Sequence, residues 1–175
     1  TFENLTVPPT LVSFAVVTEK AKNVISPEFK AAGDAVILLD VPHDDDDVID
    51  WVIFKDQCDF LHEQILSGKV KAARAVGQGG VAAALAQMAF GNGIGFMTAA
   101  DIAAADLFAL RYGAFVVETD CETAKTWTAH AYRTVVATTT TTDAAIVGNV
   151  HIALDELLQA WEKPLAKIFP VQSTA

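Results

Sequence analysis

Residues 69–96, KVKAARAVGQGGVAAALAQMAFGNGIGF, constrain the fold more than any other segment of the chain. A short apolar-rich run, residues 70–76, precedes residues 81–90, which contain no glycine or proline. Between them lies a glycine-rich turn: Gly77, Gln78, Gly79 and Gly80. A chain that passes so abruptly from strand to helix needs positive φ or a close backbone approach, and glycine permits both. The segment therefore predicts strand, glycine turn and helix.

This glycine turn has two interpretations. The first helical N–H groups after such a turn have no intrahelical partner, and together with the helix dipole they can bind an anion such as a phosphate. Alternatively, the glycines only make a tight turn and let the helix pack closely, because their spacing is neither a Walker loop nor a complete dinucleotide fingerprint. Arg74 precedes the turn by three residues. Strand alternation is compatible with its guanidinium lying beside the anion site, and a solvated or ion-paired arginine is the alternative.

The remaining pattern predicts one α+β domain over residues 1–175, with a mixed sheet of about five or six strands and helices packed on it. Runs of β-branched, aromatic and apolar residues predict the other strands, at residues 10–17, 35–39, 112–119, 132–137 and 144–150, with Gly148 as a bulge or close approach in the last. Helical spacing and capping residues predict the helices, at residues 27–32, 47–67, 81–90 and 153–161, with short pieces capped by Asp101 and Asp106 within 98–110. Residues 121–131 are ambiguous, and the threonine run 138–142 predicts a turn or loop.

Composition restricts the classes of function. With 175 residues and 52% hydrophobic composition, the chain can bury one good-sized core. Its formal net charge of −10 argues against a nucleic-acid partner. No apolar stretch approaches the ~20 residues of a membrane helix. Cys58 and Cys121 lie far apart and are expected as free thiols of a reducing compartment, so we expect a cytoplasmic protein without membrane contact.

No motif for nucleophilic or metal catalysis is present: the chain has no G-x-S-x-G, no H-E-x-x-H and no C-x-x-C. The acidic run at residues 43–47, HDDDD, either holds Mg²⁺ or Ca²⁺ or is a solvated loop whose last aspartate, Asp47, caps the next helix. The run lacks the alternating spacing of a calcium loop. We therefore assign no metal site and no catalytic residue.

Several stretches together resemble a known family. They are PTLVSFA at residues 9–15, the GQGG turn at 77–80, QMAF and GNGIG at 87–95, LF at 107–108, YGAFVV at 112–117, WEKPL at 161–165 and IFP at 168–170. The order is similar to the C-terminal domain shared by aminoimidazole ribonucleotide synthetase and its relatives. Within that superfamily it most resembles the phosphoribosylformylglycinamidine synthase family, at the second such domain, just before the glutaminase domain. The resemblance covers nearly the whole chain.

The resemblance implies a piece of a larger multidomain enzyme of purine biosynthesis. Such enzymes use ATP, Mg²⁺ and glutamine-derived ammonia to convert formylglycinamide ribonucleotide to the amidine, as carbon–nitrogen ligases. The implied partners are an upstream nucleotide-binding domain, a downstream glutaminase domain and the ribonucleotide substrate. The isolated domain is expected to hold no cofactor and to be inactive. The family's matching turn lies near phosphates, which implies phosphate binding by Gly77, Gln78, Gly79 and Gly80, with Arg74 as a weaker candidate.

The sequence also departs from the family pattern. Many relatives carry His-Asp before a Ser-Asp-Gly-Gly turn, whereas this chain has Arg74-Ala75-Val76 before Gly77-Gln78-Gly79-Gly80. The missing imidazole and carboxylate favour a second hypothesis, a structural domain that braces the active half without a ligand. A related ATP-dependent synthetase, such as a selenophosphate or hydrogenase-maturation enzyme, is a third hypothesis, which residues 9–15 and 163–170 fit poorly.

Overall fold

The computed structural model describes residues 10–168 of the chain. It contains seven strands and five α-helices in this part: β1 Ala35–Leu39, α1 Trp51–Leu66, β2 Ala72–Ala75, α2 Gly80–Phe90, β3 Gly95–Thr98, α3 Ala104–Phe108, β4 Phe115–Thr119, α4 Cys121–Trp127, β5 Arg133–Thr140, β6 Ala144–Val147, β7 Val150–Ala153 and α5 Leu154–Glu162. Parts of the family resemblance, at residues 9 and 169–170, lie outside the described residues. None of the described helices is long and apolar enough to cross a membrane.

The strands form one mixed sheet in the order β2-β4-β1-β5-β3-β6-β7. The β3–β6 pair is parallel, and the other strand pairs in this sheet are antiparallel. The predicted α+β class is confirmed, although the sheet has more strands than the five or six expected. One added strand is β3, which sequence reasoning left unassigned. The other arises because residues 144–150 begin a hairpin, β6–β7, that turns at Gly148 (φ 56°) instead of forming a bulge.

Helices cover both faces of the sheet. All five residues of β1 are buried, and their side chains alternate between two apolar clusters. Val36 and Leu38 pack in the cluster that contains α2, whereas Ile37 and Leu39 pack in the cluster that contains Leu61 of α1. A strand buried on both faces is a continuous apolar run, which is why AVILL was recognisable from sequence. The result is a three-layer arrangement with α2 lying directly over the central strands.

The predicted strand at residues 10–17 is wrong. These residues are exposed and form no ladder with the seven-stranded sheet, and Leu11 and Phe14 are 94% and 88% accessible. Their β-branched and aromatic composition supplies strand propensity, but a strand also needs an edge to pair with. Composition alone therefore predicted a strand that this sheet does not contain.

The predicted helix at residues 27–32 is also wrong. Its backbone donors are used elsewhere: Phe29 N–H donates to the Met88 carbonyl at 2.9 Å, and the N–H groups of Lys30 and Ala31 donate to the carboxylate of Glu118 at 2.9–3.1 Å. In a helix that begins at Pro27, the N–H of Ala31 would donate to a carbonyl within the segment, whereas here it donates to Glu118. The tertiary contacts hold an irregular loop instead.

The acidic run forms a loop, and the helix after it begins later than predicted. Asp44 Oδ1 accepts the N–H groups of Asp46 and Val48 at 3.0 and 2.9 Å. Asp47 has a positive φ of 59° and does not cap the helix. Instead Asp50 Oδ1 accepts Val52 N–H at 2.9 Å and Ile53 N–H at 3.1 Å, as an N-cap residue does. The local turn of Asp44 therefore delays α1 by one turn.

Three further boundaries differ from the prediction. Neither Asp101 nor Asp106 caps α3, whose N-cap residue is Ala103. The ambiguous residues 121–131 contain α4, capped by Asp120 through Thr123 N–H at 2.9 Å. Part of the threonine run is strand, because β5 extends to Thr140 and the buried Thr139 hydroxyl accepts Asp34 N–H at 2.8 Å. Polar threonines are good strand residues once a partner exists.

Glu118 is a carboxylate buried in the middle of the sheet. Its side chain is inaccessible to solvent and lies on β4, opposite Val36 of β1 and Ala72 of β2. Burial raises the pKa of Glu118, the N–H groups of Ala31 and Lys30 lower it, and the nearby Asp34 carboxylate raises it further. Asp34 is itself paired with Lys71 at 2.7 Å. The loop at residues 28–34 is thus held by a carboxylate that is costly to ionise.

We expect Glu118→Gln to reduce the dependence of stability on pH. A raised pKa means that the native state binds more protons than the unfolded chain above the ordinary value of 4.5, so wild-type stability falls as pH rises from there through the native pKa. The glutamine variant lacks this loss. The measurement is urea unfolding of both proteins over a series of pH values. A constant stability difference between them above pH 4.5 would contradict the assignment.

Candidate functional site

The predicted strand, glycine turn and helix are confirmed. β2 ends at Ala75, and the N–H of Val76 donates to the Ala114 carbonyl at 2.9 Å. Gly79 is the N-cap residue of α2, with φ 86°, and Gly80 follows with φ 67°. Positive φ at two successive positions excludes most side chains there. This turn sets the direction in which α2 crosses the sheet.

A cleft of about 220 Å³ lies between the glycine turn, the exposed side of α2 and the end of α5. Its lining contains one guanidinium, two amide side chains, an indole and small residues: Arg74, Ala75, Gly77, Gln78, Ala83, Ala84, Gln87 and Trp161. Three of the five residues predicted for the site therefore meet at one cleft. They are Arg74, Gly77 and Gln78.

Arg74 lies on the face of the sheet that α2 covers. Ala72, two residues earlier on β2, packs in the same apolar cluster as α2, so alternation places Arg74 on that face. Its side chain is partly buried and lines the cleft. Within residues 10–168 the guanidinium of Arg74 has no salt bridge and no hydrogen bond. An unpaired, partly buried cation in a protein of net charge −10 can accept an anionic ligand without first breaking an ion pair.

The other two arginines of the chain are bound to protein partners. Arg111 is paired with Asp40, with Asp106 at 4.0 Å. Arg133 lies 3.3 Å from Asp56, and its guanidinium stacks 3.5 Å above the Phe60 ring. These arginines stabilise the fold through ion pairs and a cation–π contact. Arg111 is therefore ion-paired within the fold and is not a candidate for the cleft.

Gly79 and Gly80 do not line this cleft. A Cβ atom on Gly80 would lie 2.5 Å from the Leu107 carbonyl oxygen and 2.8 Å from that of Ala109, so this glycine lets α3 pack against the first turn of α2. Its N–H donates to the Gly77 carbonyl at 3.1 Å. Gly79 lines a separate apolar cavity of about 250 Å³ that is bounded by α2, α3, α5 and strands β3, β6 and β7. This close contact at Gly80 supports the interpretation that the glycines permit tight packing.

Sequence reasoning missed Gln87 and Trp161. Gln87 follows Ala83 by four residues on α2, and that spacing places it on the side of the helix that faces the cleft. Trp161 continues the apolar stripe of α5 that begins with Leu154 and Leu157. The helical spacing was visible, but nothing in the sequence showed that the side of α2 and the end of α5 line the same cleft.

No metal centre is evident in the described part of the chain. Residues 10–168 contain no group of three histidine, cysteine, aspartate or glutamate side chains arranged to hold an ion. Cys58 and Cys121 are both free thiols, and burial raises the pKa of Cys58. Neither thiol lines the cleft.

The fold is similar to solved structures of PurL and HypE, whereas no protein-family model matches the sequence. PurL from Thermotoga maritima complexed with AMPPCP superposes with a TM-score of 0.65 at 14% identity, covering 78% of this chain and 27% of PurL. The structure of PurLQS from the same organism gives 0.67 at 17%, covering 78% and 28%. HypE of Escherichia coli, a hydrogenase maturation protein, gives 0.57 at 16%, covering 75% and 52%.

These comparisons establish the fold. The chain has the mixed-sheet α+β architecture of PurL and HypE, which is the architecture expected of an aminoimidazole ribonucleotide synthetase-like domain. The chain spans about a quarter of the length of the PurL chains and about half of HypE.

We expect Gly80→Ala to destabilise the protein more than Gly33→Ala. Both glycines have positive φ, at 67° and 88°, but an added Cβ meets backbone carbonyls at Gly80 and open space at Gly33. Strain at positive φ costs on the order of 1 kcal/mol in each variant, and the overpacking adds about 1–3 kcal/mol at Gly80 alone. Chemical unfolding of both variants gives the difference. Equal losses of stability would show that α3 does not pack closely on this turn.

Proposed function

We propose that this chain is a domain of an ATP-dependent amidotransferase of purine biosynthesis, a phosphoribosylformylglycinamidine synthase. Two findings support the proposal: the fold is similar to PurL, and structures of PurL have been solved with ATP and with FGAR. The strand, glycine turn and helix also follow one another in the order that the family resemblance predicts. The domain would act within a larger chain, between a nucleotide-binding domain and a glutaminase domain, in the cytoplasm.

The proposed role of this domain is to hold a phosphate group of the ribonucleotide substrate. The observation that carries the proposal is the unpaired guanidinium of Arg74 in the same cleft as Gly77 and Gln78. Arg74 would supply charge, the Gln78 amide would donate a hydrogen bond, and the backbone of Gly77 is unobstructed, with open space where a Cβ would be. Gly79 and Gly80 would set the direction of the first turn of α2 and would make no direct contact with the phosphate, because neither lines the cleft.

The chemistry of the complete reaction would be shared with the partner domains. ATP would activate the amide oxygen of the substrate, and ammonia would displace the phosphate. Among the described residues the cleft contains no carboxylate, imidazole or thiol, so this domain would bind and orient the substrate without transferring protons. The isolated domain is therefore expected to bind phosphate without turnover.

Arg74→Gln tests the phosphate site. Titration of the 175-residue chain with ribose 5-phosphate, followed by backbone amide NMR, should shift the resonances of residues 77–81. Loss of one charge-assisted hydrogen bond should weaken binding about tenfold. Lys22→Gln is the matched control, because it removes the same charge from an exposed position outside the cleft. Absence of shifts at millimolar ligand, or equal weakening by both variants, would refute the site.

A structural bracing domain without ligand is the second candidate. The packing of Gly80 against the carbonyls of Leu107 and Ala109 favours it, because this contact alone explains one glycine of the turn. A bracing domain predicts no ligand-dependent shifts in the same titration. A domain of a related synthetase is the third candidate, and it is supported by the likeness to HypE.

A further inference from the structure

Trp161 is an exposed indole at the edge of a polar cleft. It lies at the end of α5 with 58% of its surface accessible, and it lines the same cleft as Arg74 and Gln78. Leu154 and Leu157, earlier on the same stripe, pack into the apolar cluster under α2. The first residues of the stripe are therefore packed in the core, whereas Trp161 lies in the cleft and is not part of the core cluster. A large aromatic surface is left facing a cavity that also contains a free cation.

The side chains of this cleft suit the parts of a nucleotide. An aromatic face stacks on a nucleobase with little regard to the identity of the base. The amides of Gln87 and Gln78 each offer donors and an acceptor, and neither amide has a hydrogen-bond partner among the described residues. Arg74 suits a phosphate because its guanidinium can make paired hydrogen bonds. The cleft has a volume of about 220 Å³, and Gln78 and Trp161 at its edge are exposed, so part of a bound nucleotide would remain in solvent.

We propose that Trp161 stacks on the base of a nucleoside monophosphate group whose phosphate binds at Arg74 and the glycine turn. The inference rests on the phosphate site proposed above and adds a second ligand to it, because formylglycinamide ribonucleotide has no aromatic base that could stack on Trp161. A ribonucleotide that carries an aromatic base would bind this cleft more tightly than one without a ring. Trp161 is then the residue that determines this preference, and Arg74 contributes equally to both kinds of ligand.

The test compares AMP with ribose 5-phosphate, which has the same sugar and phosphate but no base. Binding to the 175-residue chain is measured by calorimetry. Stacking on one aromatic side chain should make AMP bind about tenfold more tightly than ribose 5-phosphate. Trp161→Leu should abolish this preference and leave the affinity for ribose 5-phosphate unchanged. Arg74→Gln should weaken both ligands by a similar factor.

Tryptophan fluorescence gives an independent readout. A Trp51→Phe background removes the other exposed indole, and the remaining Trp127 is buried against Phe60 on the opposite face of the sheet. AMP should then quench the emission of Trp161, and ribose 5-phosphate should not. Trp51→Phe by itself should leave both affinities unchanged, since Trp51 does not line the cleft.

The outcomes separate the two proposals. Equal affinities for AMP and ribose 5-phosphate, with no quenching, would overturn the stacking role and leave the phosphate site intact. Binding of adenosine as tight as that of AMP would overturn the phosphate site and leave the stacking role. Absence of binding by AMP at millimolar concentration would overturn both. A tenfold preference that survives Trp161→Leu would assign base recognition to another residue and would also overturn the inference.

Discussion

The burial of β1 on both faces is the constraint on which the rest of the structure depends. Its five residues carry no charge, and they fill both apolar clusters by alternation. Such a strand is stable only if a helical layer covers each face of the sheet, because an uncovered face would expose large aliphatic side chains. One layer contains α1 and α4, and the other contains α2, α3 and α5. The packing of α2 on this face of the sheet follows from this requirement.

Polar groups inside this frame show how the loops are held. Glu118 lies in the sheet and accepts the backbone N–H groups of a loop that is 88 residues away in sequence. Gln57 is also fully buried, and its amide donates to the carbonyls of Asp40 and Tyr132 at 3.2 Å. Buried polar groups are tolerated when their hydrogen bonds are satisfied. Both side chains therefore hold irregular segments in place through hydrogen bonds to their backbone groups.

The candidate site differs from these interior contacts in one respect. Most of the cations discussed above are balanced by a neighbouring carboxylate, whereas the guanidinium of Arg74 has no partner in the described part of the chain. The packing at Gly80 explains part of the glycine turn without any ligand. It does not explain why a free cation, two free amides and an exposed indole converge beside that turn. The ligand proposed above, anionic at one end and aromatic at the other, would account for all of them.

The sequence by itself determined those elements whose pattern lies within a short stretch of neighbouring residues. The apolar run of β1, the glycine turn before α2 and the stripe of α5 all follow from composition and periodicity, so they could be read directly. Tertiary structure decided the rest. Residues 27–32 have helical capping signals but give their N–H groups to Met88 and Glu118, and residues 10–17 have strand propensity but no ladder in the sheet. The meeting of Arg74 with Gln87 and Trp161 likewise depends on how α2 and α5 cross the sheet, since long-range packing leaves no trace in local spacing.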